Sequence, residues 1–346
     1  MAASRGHAAC KARQRTGEAG SAASAWQDAG VTARRAWLLG TGVAVLSGCA
    51  VFADPPQGVA LASSAPAGLP PRTELRSVPF FPQTPYHCGP AALATVLVHA
   101  GIAATPEQLA EAVFLPTREG ALQVEMLAAS RRFGALAVPL PPQLTALFAE
   151  VAAGHAVVLL QNLGLAWIPR WHYAVLVGYD LVAREVLLRS GTTEREVMGF
   201  VLFERTWARG AQWAFVALPP GGLPVSANEV DAVQAAIAFE RVAAPAQAQR
   251  AYDSVVARWP GNALAGLGQG NARFAGGDVA GAAEAFERVA RQHDNAAAWH
   301  NLGLARWRLG QAEAARKAAE RALARALDAE PAWREAAEAL WRQVQP

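Results

Sequence analysis

The chain has 346 residues, of which 53% are hydrophobic and 17% charged. This composition is typical of two or three globular domains and excludes a chain that is disordered throughout. Residues 1–48 hold six Lys and Arg against two Asp and Glu, or +4, so the formal charge of +3 leaves −1 for residues 49–346. These residues lack the basic surface that nucleic-acid binding requires, and we expect no nucleic-acid partner.

The first predicted element is an export signal over residues 1–48. Two arginines, Arg34 and Arg35, precede the mostly apolar residues 36–46, a stretch too short to span a bilayer. The signal has an unusually long segment before these arginines, and we therefore predict that translation begins near residue 31.

A lipid anchor is predicted directly after this signal. Leu46-Ser47-Gly48-Cys49 resembles the lipobox of bacterial lipoproteins, in which the cysteine is acylated and becomes the mature N terminus. The resemblance implies lipidation of Cys49. Because Ala50 rather than Asp follows, it also implies an outer-membrane lipoprotein that faces the periplasm, with no other membrane attachment.

Removal of Cys10 and lipidation of Cys49 would leave Cys88 as the remaining cysteine. Exported proteins meet an oxidising compartment, where single thiols are scarce. A lone cysteine there indicates catalysis, unless it is a small buried hydrophobic residue.

The rest of the chain divides by composition into four segments. Residues 49–76 are rich in Pro, Ala, Gly and Ser and predict a flexible tether. Residues 77–218 mix helix and strand patterns and predict an α+β domain, and the Pro/Gly-rich residues 219–228 predict a linker that allows the domains some freedom. The domain's predicted helices follow Gly89 and lie at 106–114 and 121–133, and its predicted strands lie at 156–161, 173–177, 185–189 and 212–218.

Residues 229–346 are alanine-rich and self-similar at an offset of 33 residues. Gly270, Phe274, Gly277, Ala282 and Phe286 recur as Gly303, Trp307, Gly310, Ala315 and Ala319. An earlier copy ends with Ala248, Tyr252, Val255 and Pro260. The pattern resembles tetratricopeptide repeats, and it implies three helix pairs with a C-terminal capping helix that bind a protein partner.

The run around Cys88 places a thiol where a helix begins. Pro90 favours the first helical turn and an apolar helical pattern continues to Leu97. The N-terminal end of a helix stabilises a thiolate, so we expect a lowered Cys88 pKa. Acyl transfer also needs a proton donor and acceptor, and His172 opens a strand-like run at an exposed strand end.

Gln83, the run Cys88-Gly89-Pro90-Ala91-Ala92 and the run from His172-Tyr173 to Gly178-Tyr179 together resemble the bacteriocin-processing (double-glycine leader) peptidase-like family. The resemblance implies an α+β papain-like cysteine peptidase domain, followed here by an all-α tetratricopeptide-type helical repeat domain. It also implies that Cys88 is the nucleophile, that His172 is the general base and acid, and that Gln83 donates to the oxyanion. No cofactor or metal is implied, since His and Cys lack ligand spacing.

The third catalytic position departs from the family pattern, because Ser190 stands where the family has Asp or Asn. A hairpin that turns near 180–184 would place residue 172 opposite 190 or 191. Asp180 would lie roughly 26 Å along the strand at about 3.3 Å per residue, and it is interpreted as a turn residue. Ser190 could orient the imidazole, but it carries no charge to stabilise imidazolium.

The segment before His172 carries Trp167 and Trp171. They are predicted to line a substrate cleft, with packing inside the domain as the alternative. Three functions remain open: a cysteine peptidase acting on a peptide or protein, a peptidase-like scaffold that has lost activity, and a transferase that uses the same Cys–His pair.

Overall fold

The computed structural model describes residues 55–64, 66–83, 87–115 and 120–345. The predicted export signal, the lipobox, Cys10 and Cys49 lie outside these residues. Within the described ranges, no helix combines the length and apolar character needed to cross a bilayer.

The N-terminal part of the described chain is built on a sheet of seven strands, whose order in the sheet differs from their order in the chain. Its main path runs β4-β9-β5-β6-β7-β8, with β1 added beside β6, and every pairing is antiparallel. These strands are β1 (Arg72–Glu74), β4 (Leu136–Pro139), β5 (Val157–Asn162), β6 (Trp171–Asp180), β7 (Glu185–Ser190), β8 (Thr193–Gly199) and β9 (Ala214–Leu218). The short β2 (Phe114–Leu115) and β3 (Gly120–Ala121) pair separately.

Helices cover both faces of this sheet. They are α1 (Pro56–Ser63), α2 (Cys88–His99), α3 (Pro106–Val113), α4 (Gln123–Arg132), α5 (Leu144–Ala152) and α6 (Phe200–Arg209). On β6, Tyr173 and Val175 face the core shared with α2, α3 and α4, while Ala174 and Leu176 face the core shared with α1, α5 and α6. The central strands are apolar on both sides because both sides are buried, and the predicted α+β domain is confirmed.

The expected flexible tether over residues 49–76 is wrong for the described part of that segment. Helix α1 buries Leu61 in the sheet's core. Two N–H groups at the start of α1 donate to the buried carboxylate of Glu204, at 3.0 and 2.6 Å. Strand β1 pairs with the end of β6. The segment is therefore held in place by the Glu204 carboxylate and by strand β6, which both lie more than one hundred residues further along the chain.

The C-terminal part of the described chain consists of stacked helices. They are α7 (Glu229–Glu240), α8 (Pro245–Arg258), α9 (Ala263–Ala275), α10 (Val279–His293), α11 (Ala296–Arg308), α12 (Ala312–Asp328) and α13 (Arg334–Gln343), with a 3-10 turn at Pro331–Trp333. Helices α9 and α11 begin 33 residues apart, as do α10 and α12. A Cβ added at Gly270 would lie 2.3 Å from the Phe286 ring, so the repeated glycine permits close helix contact. The predicted repeat architecture is confirmed.

The two parts share a core, contrary to the freedom expected from the linker. Leu136 and Val138 of β4 pack with buried residues of α7 and α8. The Glu150 carboxylate, which is fully buried, accepts from both the N–H and the hydroxyl of Ser226 in the linker. Arg258 donates to two further backbone oxygens of the linker. The Pro/Gly-rich sequence thus forms a short connection that is hydrogen-bonded to Glu150 of the sheet-containing part and to Arg258 of the helical part.

Candidate active site

Cys88 is the first residue of α2, as expected, and His87 is the N-cap. The helix start lies close to the sheet: a Cβ added at Gly89 would come within 2.7 Å of the Ala121 Cβ and 3.6 Å of the Tyr173 ring. Only glycine fits at this position without displacing β3. The thiol is half-buried between the helix and the sheet.

The backbone of Tyr173 links the predicted nucleophile to the predicted oxyanion donor. Its N–H acts on the Cys88 thiol, whose pKa it lowers, and its carbonyl accepts from Gln83 Nε2 at 3.4 Å. The Gln83 backbone N–H also donates to the backbone carbonyl of Gly191, at 3.0 Å. Cys88 and Gln83 therefore both meet the backbone of Tyr173, the residue that follows His172 in β6. The amide of Gln83 keeps a second N–H that can donate to an oxyanion.

His172 is the second residue of β6, and its Nε2 lies 2.9 Å from the Ser190 hydroxyl oxygen. This contact uses Nε2, so proton exchange with the thiol would use Nδ1. Ser190 reaches the ring diagonally: Val175 pairs with Arg189, and continuing that register places Ser190 beside residue 174. Residue 190 or 191 was expected directly opposite 172, and the observed pairing places Ser190 two residues away, beside residue 174. The hydrogen bond between Ser190 and His172 forms nevertheless.

Asp180 lies at the other end of β6 and takes no part in this group. Its carboxylate accepts from the N–H groups of Val182 and Ala183, at 3.0 and 2.8 Å. It thus stabilises the turn into β7, as the sequence predicts.

Burial sets the direction of both pKa values at the site. It raises the pKa of the Cys88 thiol, against the opposing effect of backbone N–H groups of Tyr173, Gly89 and Cys88 itself. Burial likewise lowers the pKa of His172, with Glu196 acting in the opposite direction and Arg170 adding to the decrease. The expected lowering of the Cys88 pKa is wrong, because loss of solvation outweighs the helix end. The structure favours a neutral thiol and a neutral imidazole at rest.

Trp167 and Trp171 are 76% and 57% exposed. They lie in or next to the loop between β5 and β6, and they do not pack inside the domain. Asn162 fixes the backbone of this loop, because its side-chain oxygen accepts from the N–H groups of Gly164 and Arg170, both at 2.9 Å. The loop therefore has a fixed backbone while displaying apolar side chains beside His172.

Two further residues near His172 are not predicted by the sequence. Gln161 is paired directly opposite His172 on β5 and is fully buried. Glu196 lies on β8, paired with Leu188. Neither belongs to a motif, and only the strand register, which the sequence alone did not give, places them here. In the part of the chain that the structure describes, no group of three or more His, Cys, Asp or Glu side chains is arranged to hold a metal ion.

Comparison with known protein families matches two parts of the chain. Residues 75–210 match the model of the Peptidase_C39 like family, and residues 264–296 match that of a tetratricopeptide repeat. The chain thus carries a peptidase C39-like domain followed by tetratricopeptide repeats, which confirms the resemblance drawn from Cys88, His172 and the 33-residue period. No curated protein sequence matches the chain.

Solved structures resemble each part separately. A putative C39-like peptidase from Bacillus anthracis is 20% identical, with a TM-score of 0.36 over 42% of this chain and 97% of that chain. The peptidase domain of Streptococcus ComA, a bi-functional ABC transporter, is 19% identical, with a TM-score of 0.34 over 41% of this chain and 98% of its own. The tetratricopeptide domain of Sgt2 from Aspergillus fumigatus is 22% identical, with a TM-score of 0.28 over 32% and 71% respectively.

Proposed function

We propose that the protein is a cysteine peptidase that hydrolyses peptide bonds through a thioester on Cys88. The observation that supports this most strongly is that the Cys88 thiol and the Gln83 amide both meet the backbone of Tyr173, the residue next to His172 in β6. Acyl transfer requires a nucleophile, a proton carrier and an oxyanion donor, and Cys88, His172 and Gln83 are residues of these three types.

The resting neutral pair suggests that His172 acts as a general base at the moment of attack. It accepts the Cys88 proton while sulfur bonds to the scissile carbonyl carbon. The resulting oxyanion accepts hydrogen bonds from Gln83 Nε2 and the Cys88 backbone N–H. When the C–N bond breaks, the imidazolium gives its proton to the leaving amine.

A water molecule completes the reaction. His172 takes a proton from it as its oxygen attacks the thioester, and returns that proton to the departing Cys88 sulfur. The products are a new carboxyl terminus, a new amine and the free enzyme. Ser190 holds the imidazole through Nε2 during both half-reactions, but without the negative charge that an aspartate would supply.

Substrate binding is assigned to the exposed loop between β5 and β6. Trp167 and Trp171 offer apolar surface within a few residues of His172, which suits a peptide with apolar side chains. The repeats are proposed to bind a protein partner or to hold a protein substrate, since stacked helix pairs present an extended surface.

Location is proposed from the lipobox. Acylation of Cys49 would anchor the protein in the outer membrane, facing the periplasm. A Cys49→Ser variant tests this location. The variant protein should leave the membrane fraction and should no longer incorporate labelled palmitate. Unchanged membrane association without acylation would contradict the anchor.

The alternative favoured by a specific observation is a scaffold without catalytic activity, because Ser190 replaces the charged or amide residue of the family. A third possibility, acyl transfer to an amine, uses the same pair and differs only in the acceptor.

Incubation of the full chain with a mixed peptide library in H₂¹⁸O, with and without an added amine, separates the three. Hydrolysis places one ¹⁸O in each new carboxyl terminus, and transfer gives the amide instead. We expect ¹⁸O-labelled termini that are absent with Cys88→Ala and strongly reduced with His172→Ala. Amide products would indicate the transferase, and neither product would indicate the scaffold.

A further inference from the structure

Gln161 occupies an unusual position beside the proposed catalytic histidine. Cross-strand pairing places it directly opposite His172, on the same face of the sheet. The Cβ atoms of such pairs are about 4.5–5.5 Å apart, so the amide and the imidazole lie within side-chain reach. Gln161 is fully buried and contacts Thr206 of α6.

The orientation of the Gln161 amide is fixed by its neighbours. Nε2 donates to the Thr206 hydroxyl oxygen at 2.6 Å and approaches the Met198 sulfur at 3.7 Å. The Thr206 hydroxyl hydrogen is already directed at backbone carbonyls of α6, at 2.9 and 3.0 Å. With its hydrogen so directed, the Thr206 hydroxyl accepts from Gln161, and the thioether sulfur of Met198 is also an acceptor. The amide nitrogen points toward these two groups, and Oε1 points away from them.

This orientation leaves Gln161 Oε1 buried without a donor among the described residues. An unpaired buried acceptor destabilises a fold, and its presence in a native structure calls for an explanation. Oxygen is the negative end of the amide dipole. Placed opposite His172, it becomes favourable at the stage of the reaction in which the ring is positively charged.

We propose that Gln161 is a positioning residue whose side-chain oxygen stabilises the imidazolium form of His172. The proposal rests on the proposed function for its role in turnover. Ser190 orients the ring through Nε2 but carries no negative charge to stabilise the imidazolium. The proposal assigns part of that stabilisation to the fixed negative end of the Gln161 amide dipole. The amide carries no charge, so it does not hold the resting imidazole in the protonated state.

Other charged or titratable groups around His172 must be kept constant in any test. They are the Cys88 thiol at the start of α2, Glu196 on β8, Arg170 in the preceding loop, and Arg209 of α6, which donates to the Asn162 backbone oxygen. Substitutions of Gln161 leave all four in place.

The test is an NMR titration of the His172 ring in the full chain, which needs no substrate. Gln161→Met keeps length and apolar packing but removes the oxygen. Loss of the amide dipole opposite the ring should lower the His172 pKa by roughly half a pH unit. Gln161→Glu should raise it. Gln143→Met, at an exposed site before α5, serves as the matched control and should leave the pKa unchanged.

An unaltered His172 pKa in a folded Gln161→Met protein, shown by its near-ultraviolet circular dichroism, would overturn the proposal. If the glutamate variant does not fold, the methionine variant alone decides. A shifted pKa in a protein without peptidase activity would sustain the inference while refuting the proposed function, and the two failures are thus distinguishable.

Discussion

Replacing Ser190 with aspartate would place a carboxylate against the proposed catalytic histidine. The Ser190 hydroxyl oxygen lies 2.9 Å from His172 Nε2, and the residue is 7% exposed, so solvent would screen the new charge only weakly. An opposite charge at this distance raises a histidine pKa by roughly one to three pH units. Each unit corresponds to about 1.4 kcal/mol of added imidazolium stability.

The rate of Cys88 alkylation by iodoacetamide, followed by intact mass from about pH 4 to pH 9, reports the change. A stabilised imidazolium favours the thiolate beside it, so the midpoint of alkylation should move to lower pH in Ser190→Asp. That midpoint belongs to the Cys–His pair rather than to either residue. Ser190→Asn keeps a hydrogen-bond acceptor without charge and should move the midpoint far less. Identical profiles for wild type and both variants would refute the assigned contact.

Four other substitutions probe separate parts of the structure. Gln83→Ala should lower kcat by about 10²–10³ with little change in KM, because the oxyanion loses a donor. Glu196→Gln should shift the acid limb of kcat/KM to lower pH: Glu196 raises the pKa of His172, which already lies below the ordinary 6.5, and the neutral ring is the active base. Glu204→Gln should lower the free energy of unfolding in urea by about 1–3 kcal/mol, since two N–H groups of α1 lose their carboxylate. Gly270→Ala should lower it by about 1–3 kcal/mol, because its Cβ would lie 2.3 Å from an aromatic ring.

Matched controls exist for two of these changes. Gly261→Ala adds a Cβ whose nearest contact is the flexible end of Gln292 at 3.4 Å, so it should change stability little. Glu194→Gln removes the same charge from the exposed start of β8, two residues before Glu196. Equal effects of the paired variants would contradict the packing argument at Gly270 or the electrostatic argument at Glu196.

The central sheet and the repeats could be predicted because their residues are buried in regular patterns. Strand β6 is apolar on both faces, and the 33-residue period marks each helix pair. Strand β8 was not predicted: it lies at the edge of the sheet, and Met198 is its only buried residue. An exposed, charged strand gives no alternation to detect.

The N-terminal segment shows a different limit. Its Pro, Ala and Gly content favours flexibility locally, yet α1 is ordered by Glu204, which lies 146 residues away from Gly58. Propensity describes only the local preference, and a buried carboxylate at a helix start overrides it.

The site was predictable only as far as its motifs extend. Cys88, His172 and Gln83 stand in a recognisable order, and Ser190 follows from the strand after the histidine. The pKa direction of Cys88 was not predictable, because the helix start is visible in the sequence while the burial of the thiol is not. Gln161 became visible only through the observed pairing of β5 with β6.

The most direct test of the account is the alkylation of Cys88 in the full chain with and without His172. If His172 accepts the thiol proton, iodoacetamide should modify the wild-type protein near neutral pH at least about tenfold faster than the His172→Ala variant. The variant should react only as pH approaches the raised pKa of an isolated buried thiol. Equal rates across the pH range would show that the two groups do not exchange a proton, and would contradict the proposed catalytic pair.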